Sequence, residues 1–455
     1  MKNVIRIASG QGFWGDLPRA PIDQVRKGKI DYLVMDYLAE VTMSILQKQK
    51  MRNPQYGYAR DFVDVVAEVL PDIIQRGIRI VSNAGGVNPH ACKDAIFNIA
   101  RERGFNNLKI AVIDGDDILD QITDLIKDGH KLLNMDDGRP IKEVADDLLS
   151  ANVYFGARPI VEALDEGADI IITGRVTDTG LTLGPMIHEF GWDFGDFDKM
   201  AAGTIAGHII ECGAQCTGGN FTDWEKVPDI EHIGFPIIEA YPDARFVVTK
   251  HTNTGGLVSL MTVKEQLVYE IGDPEEYITP DCVADFTSIH VEDDGRDRVA
   301  VSGIKGLPAT EFYKVSASYI DGFKLSSTLV YSWPKALFKA RRAGEILKKR
   351  SDELGLKIDD FRSEYIGFNG CNELPLDDDT ESGEFNEVQL RISLSGKDRN
   401  DINRFGKEVA PLILTGPSGV TGFAGGRPKA SEVVAYWPAL IKKEACKPRL
   451  QIFSL

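Results

Sequence analysis

Asp169-Ile170-Ile171-Ile172-Thr173-Gly174-Arg175-Val176-Thr177-Asp178 is a short apolar run that ends in a glycine, a cation, a hydroxyl and an acid. Three consecutive isoleucines bounded by polar residues predict a strand buried on both faces, as in the middle of a parallel sheet. The polar residues after it then lie at the strand's carboxyl end, where open α/β sheets bind ligands. The same grammar precedes it. Residues 4–8 run into Ser9-Gly10-Gln11-Gly12-Phe13-Trp14-Gly15-Asp16, and residues 32–35 into Asp36. Residues 78–82 run into Asn83-Ala84-Gly85-Gly86, and residues 108–113 into Asp114-Gly115-Asp116-Asp117. Helical stretches alternate with these strands from residue 4 to residue 190. That alternation predicts a parallel sheet with helices on both faces, its strand-end loops converging on one crevice.

After residue 220 the rhythm changes. Residues 235–241 and 245–250 read as paired strands that deliver Lys250-His251-Thr252-Asn253-Thr254-Gly255-Gly256. Residues 283–291, 298–302, 312–320 and 323–330 are rich in β-branched and aromatic side chains, with Asp293-Asp294-Gly295 as a hairpin signal. The expected class is α/β over residues 1–220, followed over residues 221–455 by a mixed α+β domain with antiparallel strands that closes the crevice.

The 455 residues carry a formal net charge of −17, with 43% hydrophobic and 27% charged residues. This is the balance of an ordinary soluble protein, and its acidity argues against nucleic acid as a partner. No signal-peptide pattern opens the chain, and no apolar run approaches the ~18 residues of a membrane span. A cytoplasmic protein is expected. The six cysteines, Cys92, Cys212, Cys216, Cys282, Cys371 and Cys446, are too scattered for a disulfide framework. Cys212 and Cys216 share a face if helical, with His208 and Glu211 nearby, but packed thiols are a better reading than zinc. P-loop, zincin and nucleophile-elbow motifs are lacking, which disfavours those chemistries.

Gly10, Gly12 and Gly15 fit G-x-G-x-x-G, with Asp36 after the second strand. The bulky Phe13-Trp14 and the Asp16-Leu17-Pro18 that follows favour an anion-binding loop over a dinucleotide fingerprint. Gly10, Gly12, Asp16, Asp36, Asn83, Gly85 and Gly86 are expected to line the substrate, with Arg175 holding a carboxylate or phosphate. A second helix carries His208, Glu211, Cys212 and Gln215 at helical spacing. His251 has the side chain best suited to acid–base work near neutral pH. Catalysis is expected from His251, Asp178, Glu211 and Cys212, and substrate contacts also from Gln215. Residues 415–428 hold five glycines, and Gly425 and Arg427 join the expected anion-binding set.

Taken together, Ser9 to Asp16, Asp36-Tyr37-Leu38-Ala39-Glu40, Asn83-Ala84-Gly85-Gly86, Thr173 to Asp178, Glu211-Cys212-Gly213-Ala214-Gln215 and Gly422 to Arg427 resemble the acyclic terpene utilisation protein A family. The resemblance spans nearly the whole chain. It implies branched terpenoid acids handled as coenzyme A thioesters, with coenzyme A as part of the substrate and neither a metal nor a nicotinamide cofactor favoured. Longer members carry a small C-terminal ferredoxin-like domain. This chain stops at Leu455 without one, so the resemblance implies a separate small subunit of that fold; a homo-oligomer is also expected. The family's Lys-His-Pro-Gly-Thr-Gly-Gly loop has lost its proline in residues 250–256. The expectation is an enzyme of the lyase or hydratase class acting on an acyl-CoA thioester or related branched carboxylated metabolite, by hydration, dehydration or carbon–carbon cleavage. One competitor is a non-catalytic ligand-binding or scaffolding subunit, with Arg175 and Asp178 paired only to each other. The other is an NAD-dependent oxidoreductase using Gly10, Gly12 and Gly15.

Overall fold

The Ile170–Thr173 strand lies where its isoleucines require, between Arg79–Ser82 and Lys109–Asp114 and parallel to both. The computed structural model describes residues 2–371, 384–422 and 426–455. Ten strands form the main sheet in the order His290–Asp293, Arg298–Ser302, Phe246–Lys250, Pro236–Ala240, Ile5–Gln11, Tyr32–Met35, Arg79–Ser82, Ile170–Thr173, Lys109–Asp114, Arg449–Ser454. The five from Ile5–Gln11 to Lys109–Asp114 are parallel. Antiparallel strands extend both edges.

Alternate residues feed opposite cores, as the strand period of two requires. Ile171 joins Ile5, Ile7 and Tyr32 under the helices Gly180–Phe190 and Phe197–Glu211. Ile170 and Ile172 join Ala8, Leu33 and Ile80 under Arg60–Arg76 and Pro89–Glu102. The α/β class with later antiparallel strands is therefore the observed one.

The chain does not divide at residue 220. Pro236–Ala240 pairs with Ile5–Gln11, Ile5 opposite Ala240 and Ala8 opposite Ile237, so the second half completes the first half's sheet. The two compact units are Met1–Ser318 with Tyr436–Leu455, and Tyr319–Ala435.

In the smaller unit the expected break at residues 321–322 is absent. Phe312–Ser332 is one strand, and its ladder with Glu387–Gly396 begins just after Gly322, at Phe323 opposite Gly396. That strand is followed by the helix Ala336–Glu353, strands Asp360–Ile366 and Glu387–Gly396, the helix Arg399–Val409 and the strand Ser431–Lys442. Asp360–Ile366 pairs with Glu387–Gly396, which pairs with Phe312–Ser332, which pairs with Ser431–Lys442. This βαββαβ order is the ferredoxin-like arrangement. Val388, Leu390, Ile392 and Leu394 point to the helices and bury against Leu337, Leu347 and Phe405. Among the described residues, no helix is long and apolar enough to cross a membrane.

Candidate functional site

At the carboxyl edge of the parallel strands, Arg175 is almost wholly enclosed, its side chain 2% exposed. One guanidinium nitrogen, Nη1, donates to the Leu38 carbonyl at 2.5 Å and to Asp178 Oδ1 at 2.9 Å. The guanidinium carbon lies 4.2 Å from the centre of the Tyr154 ring. Burial opposes the charge of Arg175, but Asp178, Tyr154 and Asp36 outweigh it and hold the group charged. Asp178, by contrast, is one-third exposed, at 33% of its side chain. Arg175 therefore works from below: it fixes the Asp36–Leu38 loop and presents Asp178 outward. The expected direct grip on a substrate anion is not what this geometry offers.

Around Asp178 are groups whose proton affinity is raised. Asp36 is buried; its Oδ1 accepts from Leu38 N at 3.0 Å and from Asn83 Nδ2 at 2.6 Å. Burial and then the charge of Asp178 push it well above the usual carboxylate range, against Arg175. Asn83 is thereby a brace, its own Oδ1 accepting from Tyr37 N at 2.8 Å. Glu211 is raised by burial and by Asp178 and Glu270, although His208 works the other way. The His208 Nδ1 lies 3.3 Å from Glu211 Oε1 without hydrogen-bond alignment, while its Nε2 meets the Gln266 carbonyl at 3.0 Å. Burial works against the imidazolium, but Glu211 outweighs it and raises His208.

The helix Phe197–Glu211 ends at Glu211 because Gly213, at φ +57°, turns the chain into the short 3-10 segment Gly213–Thr217. Cys212 is the cap. Gln215 and Cys216 leave the helical face, so the spacing expected to align all four groups holds only for His208 and Glu211. Burial, then Glu211, push the Cys212 thiol up to about 12. It is a thiol near neutral pH, which removes the case for a thiolate nucleophile. Among the described residues, no three His, Cys, Asp or Glu side chains are grouped to hold a metal ion.

The expected substrate-binding glycines are packing positions. A Cβ on Gly12 would lie 2.7 Å from the Cys212 carbonyl carbon and the Gly213 nitrogen, so this loop seats directly on the end of the Glu211 helix. Gly10 is closed in by Leu33, Met35 and Pro21, Gly85 by Thr173 and Pro89, and Gly86 by Leu46 and Gly57. Asp16 closes its own turn, accepting from Gly12 N at 2.9 Å and Leu17 N at 2.7 Å. The next helix starts at Ala20, not at Gly15, so the third glycine of a dinucleotide fingerprint is not at a helix start.

His251 is elsewhere. It is buried, its Nε2 2.9 Å from the Gln24 carbonyl. Burial and the cations Arg6, Arg76 and Lys27 lower it, against the Gln24 contact. None of the acids around Asp178 is among its partners. Arg427 is exposed in the smaller unit, and Gly425 lies outside the described residues.

Asp116 was legible only as part of an acidic loop, yet it braces the centre. Its Oδ2 accepts from Arg175 N at 2.8 Å and Asn152 Nδ2 at 2.9 Å. Burial above all pushes it up to about 7. A carboxyl whose folded pKa exceeds its unfolded one gives stability that is fully present below about pH 4 and lost as pH rises through about 7. Asp116→Asn keeps an acceptor for both donors. Its stability relative to the parent is expected to improve between pH 5 and pH 8, by an amount on the order of 1–3 kcal/mol. Urea midpoints at the two pH values check this, and an unchanged difference would mean Asp116 is not held protonated.

The family model described as acyclic terpene utilisation family protein AtuA matches residues 5–452. No curated protein matches the chain, and no solved structure does.

Proposed function

Since the chain belongs to the acyclic terpene utilisation family, we propose that it is a hydro-lyase adding water to, or removing it from, a branched acyl thioester. Hydration of a double bond conjugated to a thioester needs a base to take a proton from water as its oxygen bonds to Cβ. It also needs an acid to deliver a proton to Cα. One carboxyl must be ionised and the other protonated at the same pH.

What supports this reading is the partly exposed Asp178, held at 2.9 Å by a buried arginine, together with a half-buried Glu211 that burial and, after it, the charge of Asp178 raise. Asp178 is assigned the base and Glu211 the acid. Among the described residues, Arg175 Nε, Asn152 Oδ1, His208 Nδ1 and Gln266 Oε1 are buried without a hydrogen-bond partner.

The inward pairing of Arg175 and the filled glycine loops favour a second reading, a ligand-binding subunit without catalysis. One experiment separates the two. The protein is incubated in D2O with a series of branched 2-enoyl and 3-hydroxyacyl thioesters, and products are read by mass spectrometry. The hydro-lyase reading expects interconversion of the two and one deuterium at Cα. Stabilisation of the fold by the same thioesters with neither interconversion nor label would leave the non-catalytic reading standing instead.

A further inference from the structure

The cleft that contains His251 has a chemistry of its own. About 640 Å³ in volume, it is lined by six lysine or arginine side chains and three acids, in a chain whose net charge is −17. Arg6 and Arg298 both meet the carboxylate of Glu239, and Arg298 also meets Asp294 at 2.9 Å. Lys250, 3% exposed at its side chain, lies 3.4 Å from Asp297 and donates to the Thr254 carbonyl at 3.0 Å. Lys29 and Arg296 stand exposed at the rim. Hydroxyls of Thr252 and Thr254 and the glycine backbone at 255–256 complete the wall. This is a polar, cation-rich enclosure unsuited to a terpenoid chain and suited to an anion with several oxygens.

Its position relative to the acids follows from the sheet. Phe246–Lys250 runs antiparallel to Pro236–Ala240, which runs antiparallel to Ile5–Gln11. The carboxyl ends of the outer two share one edge, two strand spacings or roughly 10 Å apart; the Gly12 loop after Ile5–Gln11 seats on the turn that follows Glu211, and Ile170–Thr173, which leads to Asp178, lies three further spacings along, roughly 24 Å from the cleft's strand. The cleft's loop is also tied to the acid site: Leu257 N donates to the Thr217 carbonyl at 2.8 Å, and Thr217 ends the turn that follows Cys212.

We propose that this cleft binds the diphosphate of the nucleotide end of a coenzyme A thioester whose acyl end reaches Asp178 and Glu211. The assignment rests on the hydro-lyase reading for the identity of the ligand, but not for the binding itself.

The test is calorimetric titration of the intact protein with 3′-phosphoadenosine 5′-diphosphate and with inorganic pyrophosphate. Lys29→Glu with Arg296→Glu, both at exposed positions, is the comparison variant. The nucleotide is expected to bind more tightly than pyrophosphate, to weaken as salt rises, and to lose at least about tenfold in affinity in the double variant. Turnover of the corresponding pantetheine thioester, which lacks the nucleotide, is expected to be the same in variant and parent. Equal nucleotide affinity in variant and parent, or failure of pyrophosphate to compete with the nucleotide, would overturn the assignment. Nucleotide binding lost in the variant, with no thioester of either kind turned over, would retain the cleft and reject the hydro-lyase. Pantetheine thioester turnover without nucleotide binding would do the reverse.

Discussion

Arg175→Ala is expected to destabilise the larger unit by about 3–5 kcal/mol, the cost of removing one partner from a buried ion pair. The arginine side chain is 2% exposed and its partner Asp178 33%, so water screens the pair only on the Asp178 side. Its loss deprives the Leu38 carbonyl of a donor and removes the cation packed on Tyr154. It also removes the positive charge that restrains the proton affinity of Asp36. Lysine is no remedy. An ammonium lacks the flat face that lies against Tyr154 while Nη1 meets both Leu38 and Asp178, so Arg175→Lys should recover only part of the loss. Denaturant midpoints at pH 7, with slopes compared to confirm that the denatured state is unaltered, measure the effect. A loss below about 1 kcal/mol, the size of a surface pair, would show that the guanidinium is not what holds these strand-end loops together.

The fold was legible where information is local. Ile170-Ile171-Ile172 announces a strand buried on both faces, and each preceding apolar run with its polar end repeats the message. What was not legible is pairing across distance. Residues 235–250 read correctly as two adjacent strands, but nothing in them says that Ala240 lies opposite Ile5; a change of rhythm at residue 220 was therefore taken for a boundary. Residues 312–320 and 323–330 read as two strands, yet one strand runs through Asp321-Gly322, with Gly322 at φ +100°.

The site divides along the same line. Asp36, Arg175 and Asp178 fall at strand ends, and Glu211 on a helix facing them, so position alone selects them. Glycine is ambiguous in sequence: the residue type that admits a phosphate also admits a neighbouring backbone, and Gly12 and Gly85 serve the second use. Asp116 and Tyr154 matter through what encloses and touches them, which depends on contacts dozens of residues away. His251 was chosen for its intrinsic chemistry, but its partner Gln24 is 227 residues distant. The residue type was read rightly and its surroundings could not be.

Asp178→Asn and Glu211→Gln are each expected to lower thioester hydration by about 10²–10⁴-fold, the span that a positioned acid or base contributes. The two variants should differ in how they fail. Glutamine reproduces the shape and neutrality of a protonated Glu211, so Glu211→Gln is expected to bind thioester as the parent does and to lose kcat alone. Asp178→Asn also removes the charge that raises Glu211. The residual activity of that variant is expected to fall away on the alkaline side at a lower pH than in the parent, since Glu211 then gives up its proton more readily. The parent profile itself should be bell-shaped, with Asp178 needed ionised on the acid side and Glu211 needed protonated on the alkaline side. Cys212→Ala, at a group held as a thiol, should leave turnover within about threefold of the parent. Initial rates between pH 5 and 9 for the parent and all three variants, each first checked for an unaltered denaturant transition, supply the measurement. If Asp178→Asn left the alkaline limb where it was, the two carboxyls would not be coupled, and the division into base and acid would have no physical ground.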